Sequence, residues 1–326
     1  MALSMHWKPF GFRLRRPLQT SKTLLEQRQG WLLRLEDPST GLGWGEVSPL
    51  DPEGLPHCLA WLEALGSAPQ RADLEQVISQ GPAPVGFALG AALAELDGLV
   101  GEKSRLGWLP APASAKLLPA GEPVLDALEC ALEGALADGF PVSQPLTLKW
   151  KVAAAADGLE RRLLLRILEM LPETAQLRLD ANGGWDRSQA QAWVQLLLNV
   201  PALQWLEQPL QDKDLQGLRA LSRQLPVALD ESLCSTPELR QSWLGWQVRR
   251  PLVDGDPRPL LDELTHGAPQ RMISTAFETG VGARWIHHLA ALQARGPTPA
   301  APGLAPGWCG DGPLFSSDPA EVWEAA

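Results

Sequence analysis

Two lysines separated by a single residue are the first side chains in this chain whose spacing suggests chemistry. In Leu146-Thr147-Leu148-Lys149-Trp150-Lys151-Val152 the alternation is that of a β-strand. It puts Lys149 and Lys151 on one face and turns Trp150 outward, toward flanking helices. Two ammonium groups side by side repel each other, so such a strand calls for anions opposite it. Four later apolar runs end in charge: Leu177-Arg178-Leu179-Asp180-Ala181-Asn182, Trp205-Leu206-Glu207-Gln208-Pro209, Val227-Ala228-Leu229-Asp230-Glu231-Ser232 and Gln247-Val248-Arg249-Arg250-Pro251. Their key residues recur at roughly 20–30 positions, about one βα unit of a (β/α)8 barrel.

Catalytic groups of such barrels sit at the C-terminal ends of the strands. Asp180, Glu207 and Asp230 hold that place on three successive strands and converge on one mouth. Two carboxylates about 4 Å apart repel by about 4 kcal/mol at an effective dielectric of about 20. Taken singly, each acid has the plainer reading of a salt bridge or helix cap; the matching positions argue for a shared cation. Oxygen-only ligands with room for water and substrate suit Mg²⁺, with Mn²⁺ as a substitute. Ammonium groups facing a divalent ion and each other are driven toward the neutral amine, which serves as a general base near neutral pH. Amine and cation together remove a proton from the carbon next to a carboxylate and stabilise the enediolate that results.

The elements that must hold these groups follow a strand-then-helix rhythm after about residue 113. A short strand at Lys116–Pro119 and a helix from Val124 to Leu136 precede the lysine strand. The next helix carries Leu159, Leu163, Ile167 and Met170 on one stripe. Ser188 is the expected cap of the helix bearing Trp193, Leu196 and Leu197. Helices from Leu215 to Leu225 and Val281 to Gln293, and a strand at Met272–Phe277, complete the series, with no clear eighth strand in the Pro/Gly-rich tail from Gly296. Ahead of it, Gly30–Glu36 and Gly43–Val47 are strand-like, followed by helices His57–Leu65, Arg71–Ser79 and Val85–Val100. The Gly41-Leu-Gly-Trp-Gly45 cluster lies between strands rather than before a helix, so it is read as a turn and not as a phosphate loop. The fold class is therefore α/β, a (β/α)8-type TIM barrel (113–326) with an N-terminal α+β capping domain (1–112), joined near the linker Leu109–Ser114.

Composition narrows the partners. The chain has 326 residues and a net charge of −10 with no basic stripe, which excludes nucleic acid as an expected partner. No run approaches the ~18 apolar residues of a membrane span, so no membrane insertion is expected. The four cysteines, Cys58, Cys130, Cys234 and Cys309, form no CxxC pair and are expected to be reduced, buried thiols. The opening residues lack a secretion-signal core, and a cytoplasmic location is expected. His287 and His288 lack HExxH spacing and are expected at the surface or behind the site rather than as ligands. A small-molecule carboxylate remains as the partner.

Lys149-x-Lys151, Asp180-x-Asn182, Glu207-x-Pro209 and Asp230-Glu231-Ser232, in this order, resemble the enolase superfamily, whose members use a Lys or His base with Mg²⁺. Gly43-Trp44-Gly45-Glu46, Ser48-Pro49-Leu50 and Ile273 to Gly280 narrow the resemblance to the o-succinylbenzoate synthase family of the muconate-lactonising-like subgroup. The resemblance implies Lys151 as acid/base and Lys149 as its electrostatic neighbour. It implies Asp180, Glu207 and Asp230 as Mg²⁺ ligands, Asn182 and Ser232 as support for the metal shell, and Ser274 near the substrate carboxylate. It implies cap loops at Pro17–Ser21, with Thr20 and Ser21 as substrate contacts, and at Ser48–Leu50. The implied reaction is dehydration of 2-succinyl-6-hydroxy-2,4-cyclohexadiene-1-carboxylate to o-succinylbenzoate, a step toward menaquinone or phylloquinone. One position departs from the family. Arg250 stands where a lysine is usual, and arginine does not give up its proton under ordinary conditions. Racemisation needs a proton acceptor on each face of the substrate, whereas syn elimination needs one base. Arg250 therefore argues against a racemase, and in the dehydratase it offers a cation to the ring face or to a carboxylate. The other readings are a cycloisomerase or epimerase of N-succinylamino acids or dipeptides, and an inactive barrel kept for binding.

Overall fold

Every residue of the lysine strand is buried, because its two faces meet different neighbours. In the computed structural model, which describes residues 3–19, 24–137 and 146–326, this strand is one of ten. They are β1 (Ser4–Gln19), β2 (Leu24–Asp37), β3 (Gly41–Val47), β4 (Lys116–Leu118), β5 (Thr147–Lys151), β6 (Gln176–Asp180), β7 (Leu203–Glu207), β8 (Val227–Leu229), β9 (Trp246–Arg249) and β10 (Arg271–Ile273). The last seven form one sheet in chain order, β4 to β10. Its pairs from β4 to β9 are parallel, and helices follow β5 to β10 in turn. This is the α/β, barrel-type architecture expected. After β10 the next parallel contact is a single bridge from Ser274 to Gly303. Short strands rich in Leu, Val and Trp alternating with amphipathic helices leave no other economical arrangement than crossover units.

Two compact units divide the chain: Pro17–Leu25 with Ser114–Val248, and Met1–Arg16, Glu26–Ala113 with Arg249–Ala326. Their limits differ from the functional division drawn at 112/113. In the unit containing β4 to β8, Leu148, Trp150, Leu177, Leu179 and Leu206 pack against Leu163, Leu164, Ile167, Trp193 and Leu197. Full burial of each such aliphatic side chain contributes about 1.5–3 kcal/mol. That layer holds the opposite faces of β5, β6 and β7, and so the polar side chains, in place.

The other unit contains the sheet β1-β2-β3, β2 and β3 being antiparallel. Helix Ala83–Leu96 is buried along nearly its whole length and lies on β3. A Cβ at Gly43 would stand 2.1 Å from the Ala92 carbonyl oxygen, and one at Gly45 2.2 Å from that of Ala88. The glycine cluster thus serves helix-on-strand packing.

Several local expectations give way. Asp186, not Ser188, caps helix Arg187–Leu197, accepting from Gln189 N at 2.7 Å. β1 was not foreseen, its polar alternation being masked by the arginine run. β10 ends at Ile273, where Thr275 and Glu278 begin a side-chain-bonded turn. Of the cysteines only Cys58 is buried; Cys130 and Cys234 are exposed. His287 is exposed, but His288 is buried, where Nδ1 accepts from Leu109 N at 3.3 Å and the ring meets Trp108 edge-on. Among the described residues no helix is long and apolar enough to cross a membrane.

Candidate active site

Register alone brings the first groups together. Lys151 pairs with Asp180 across β5 and β6, and Asp180 with Glu207 across β6 and β7. Lys151 Nζ donates to Asp180 Oδ2 at 2.6 Å and to Asn182 Oδ1 at 2.9 Å. Lys149 Nζ stands between two acids, 2.5 Å from Glu207 Oε1 and 2.8 Å from Asp180 Oδ2. All five side chains are buried. Ion pairs this dry persist only when each charge finds several partners, and here Asp180 Oδ2 is shared by both ammonium groups.

The acids differ in their response. Burial works against the Asp180 charge, but the Lys149 and Lys151 ammonium groups outweigh it and hold the carboxyl below the usual range. Burial and then the Asp180 charge push Glu207 well above that range, Asp230 adding to the effect and Lys149 opposing it.

The loops after these strands carry the other polar groups. Asn182 lies in the left-handed region (φ 44°) and donates through Nδ2 to Glu231 Oε1 at 2.9 Å. Gln208 (φ 37°), to which the sequence assigns no role, ties three elements. Its Oε1 accepts from the amides of Asp230 and Ser232, and its Nε2 donates to Ser232 Oγ at 2.8 Å. Ser232 Oγ in turn donates to the Asp212 carbonyl. Left-handed, non-glycine residues just past two adjacent strand ends are backbone strain of the kind held at functional sites.

Below Asp180 on the same face of β6, the fully buried Arg178 places its guanidinium over the Trp205 ring, 4.0 Å from its centroid. A register shift between Leu177 and Arg178 lets Gln204 accept from Arg178 Nε at 2.6 Å. Burial pushes this guanidinium down to about 9, against the pull of the Glu207 charge. Alternation marks Arg178 as inward-facing in the sequence; the ring beneath it is a non-local contact.

A divalent cation would be a chemical match for these donors: three buried carboxylates on adjacent strand ends, one of them raised by burial and by its like-charged neighbours. Asp180 and Glu207 are nevertheless closed upon lysine. Among the described residues no three His, Cys, Asp or Glu side chains gather tightly enough to hold an ion, and Lys149 stands between Asp180 and Glu207. The lysines meet carboxylates, the anions that their side-by-side spacing calls for.

Residues 137–244 match the family model described as "Enolase C-terminal domain-like". The chain is 31% identical over 294 residues to the o-succinylbenzoate synthase of Thermosynechococcus vestitus, covering 87% of each. The chain belongs to the enolase superfamily. The crystal structure of o-succinylbenzoate synthase from Thermosynechococcus elongatus, complexed with Mg in the active site, superimposes with a TM-score of 0.80 at 26% identity, covering 99% of this chain and 100% of that one. The L-Ala-D/L-Glu epimerase of Bacillus subtilis shares the fold, with a TM-score of 0.73 at 20% identity over 94% and 90% of the two chains. This chain is thus an enolase-superfamily enzyme of the o-succinylbenzoate synthase-like, lyase kind.

Arg250 and Ser274 belong to the second compact unit. Arg250 opens the helix Pro251–Asp254, its carbonyl accepting from the Val253 and Asp254 amides. Asp254 is held by Arg249, whose Nε donates to it at 2.8 Å. Ser274 Oγ donates to the Gly303 carbonyl at 3.2 Å. Thr20 and Ser21 lie outside the described residues.

Proposed function

We propose that this chain is an o-succinylbenzoate synthase: it removes water from 2-succinyl-6-hydroxy-2,4-cyclohexadiene-1-carboxylate by syn elimination, in menaquinone or phylloquinone synthesis. The observation that carries the reading is Lys151 beside Asp180 and Lys149 between Asp180 and Glu207, on consecutive parallel strand ends.

Lys151, as the free amine, takes the proton α to the carboxylate. It then returns that proton to the departing hydroxide, so that water leaves and the ring becomes aromatic. One base on one face is enough, in keeping with arginine rather than lysine at position 250. Lys149, held between Asp180 and Glu207, is the electrostatic neighbour of Lys151. Asn182 orients Lys151 from the other side. Asp180, Glu207 and Asp230 would hold Mg²⁺, or Mn²⁺ in its place, competing with the lysines for the same oxygens. When bound, Mg²⁺ supplies positive charge where the substrate carboxylate becomes more negative. Ser274, Thr20 and Ser21 are proposed substrate contacts, Ser232 a support for Asp230, and the functional division falls at 112/113.

The test is a spectrophotometric assay with the cyclohexadiene substrate and Mg²⁺, read as the ultraviolet change on aromatisation. Failure to aromatise, coupled with α-proton exchange of N-acylated amino acids or dipeptides in D₂O, would move the chain to the epimerases instead.

A further inference from the structure

The turn that leaves Lys151 is built around an anion. Val152 N donates to the Asp180 carbonyl at 2.9 Å, continuing the ladder for one residue. Ala153 then adopts a left-handed backbone (φ 59°), a conformation costing a non-glycine residue on the order of 1 kcal/mol. What holds it there is the buried carboxylate of Glu160, one turn into helix Asp157–Met170. Ala153 N donates to Glu160 Oε2 at 2.9 Å, and Ala154 N and Ala155 N donate to Oε1 at 3.0 and 2.9 Å. Three consecutive amides aimed at one carboxylate form an anion-binding nest, filled from within the chain.

We infer that Glu160 is a positioning residue for Lys151: by filling the nest of Ala153–Ala155 it fixes the end of β5 and hence the direction from which the Lys151 amine meets Asp180 and Asn182. The inference rests on the reading of Lys151 as the base. A displacement of about 1 Å at such a group costs about a hundredfold in rate, and the Ala153 turn is the short lever through which Glu160 acts.

Glu160→Ala empties the nest and leaves a space of carboxylate shape, so formate can enter it. The experiment compares wild type, Glu160→Ala and Glu160→Gln with formate or with chloride at matched ionic strength. Three readouts are taken: kcat and KM, the melting temperature, and the rate at which Lys151 is labelled by an amine-modifying reagent, followed by peptide mapping. In Glu160→Ala we expect kcat to fall by about tenfold to a hundredfold with KM little changed, and Lys151 to label several-fold faster. Formate, not chloride, should raise the melting temperature and restore both kcat and the labelling rate. Glu160→Gln, which keeps one acceptor oxygen, should fall between, and it replaces Glu160→Ala if that variant does not fold. An unchanged labelling rate in a folded variant overturns the inference, as does formate that stabilises the variant without restoring kcat. Should wild type itself lack turnover while labelling still responds to Glu160 and formate, the function fails and the positioning role stands.

Discussion

At the scale of single residues, the cluster behaves as a set of charges that none of its members could carry alone. Lys151→Ala is expected to lower kcat by about 10²–10⁴, the usual worth of a positioned acid/base, while circular dichroism and the melting curve still report a folded protein. Retained turnover would remove Lys151 from the mechanism. Lys149→Met should be as harmful for a different reason, since it leaves Glu207 and Asp180 facing each other without the cation between them. The paired lysines and the strand-end acids were legible because a period of two fixes which side chains share a face. Gln208, Glu160 and the ring under Arg178 were not. Each acts on main-chain groups or on a ring in another element, and no local period records that kind of contact. That anions face the lysines was legible too, but not which oxygens they share, because spacing gives faces and not distances.

At the scale of elements, the strand–helix rhythm was legible and the ends were less so. Asp186 and Ser188 are both good caps by type, and only the chain direction at the helix start decides between them. Asp186→Ala should cost about 1 kcal/mol in urea unfolding, and Ser188→Ala a few tenths at most. Equal losses would return the cap to Ser188. A second expectation concerns helix Gly280–Ala294, whose first turn is capped from β3. The fully buried Glu46 accepts from Thr279 N, from Thr279 Oγ1 and from Gly282 N. Burial, opposed by the Thr279 hydroxyl and reinforced by the Glu278 charge, raises its carboxyl to about 7. The folded state therefore holds this proton more tightly than the unfolded chain does. The stabilisation is complete below the unfolded value of 4.5 and is lost as pH rises toward 7. The loss is on the order of 3 kcal/mol. Glu46→Gln should thus gain on wild type in that window and run parallel to it above about pH 8. Parallel stability curves from pH 5 to 8 would refute the buried proton.

At the scale of the whole molecule, the two groups of predictions fall in different compact units, and this separates them experimentally. Asp180, Glu207 and Asp230 lie within Ser114–Val248, whereas Glu46 and helix Gly280–Ala294 lie in the other unit. Each unit has its own apolar core, so unfolding need not be a single transition. A ligand that binds only the folded state raises stability by about 2.7 kcal/mol at a hundred times its dissociation constant. Mg²⁺ should therefore raise the melting temperature of wild type, and chelation should silence turnover reversibly. Asp180→Asn and Asp230→Asn should lose most of the Mg²⁺ shift, because three carboxylates, not one, answer the ion. Where calorimetry resolves two transitions, Mg²⁺ should move that of the Ser114–Val248 unit, and Glu46→Gln the other. A wild type whose melting temperature and turnover are both indifferent to Mg²⁺ and to exhaustive chelation would mean that Lys149 and Lys151 are the permanent partners of these acids. The cluster would then be a buried salt-bridge network, and the amine assigned to the α-proton would never be free to take it.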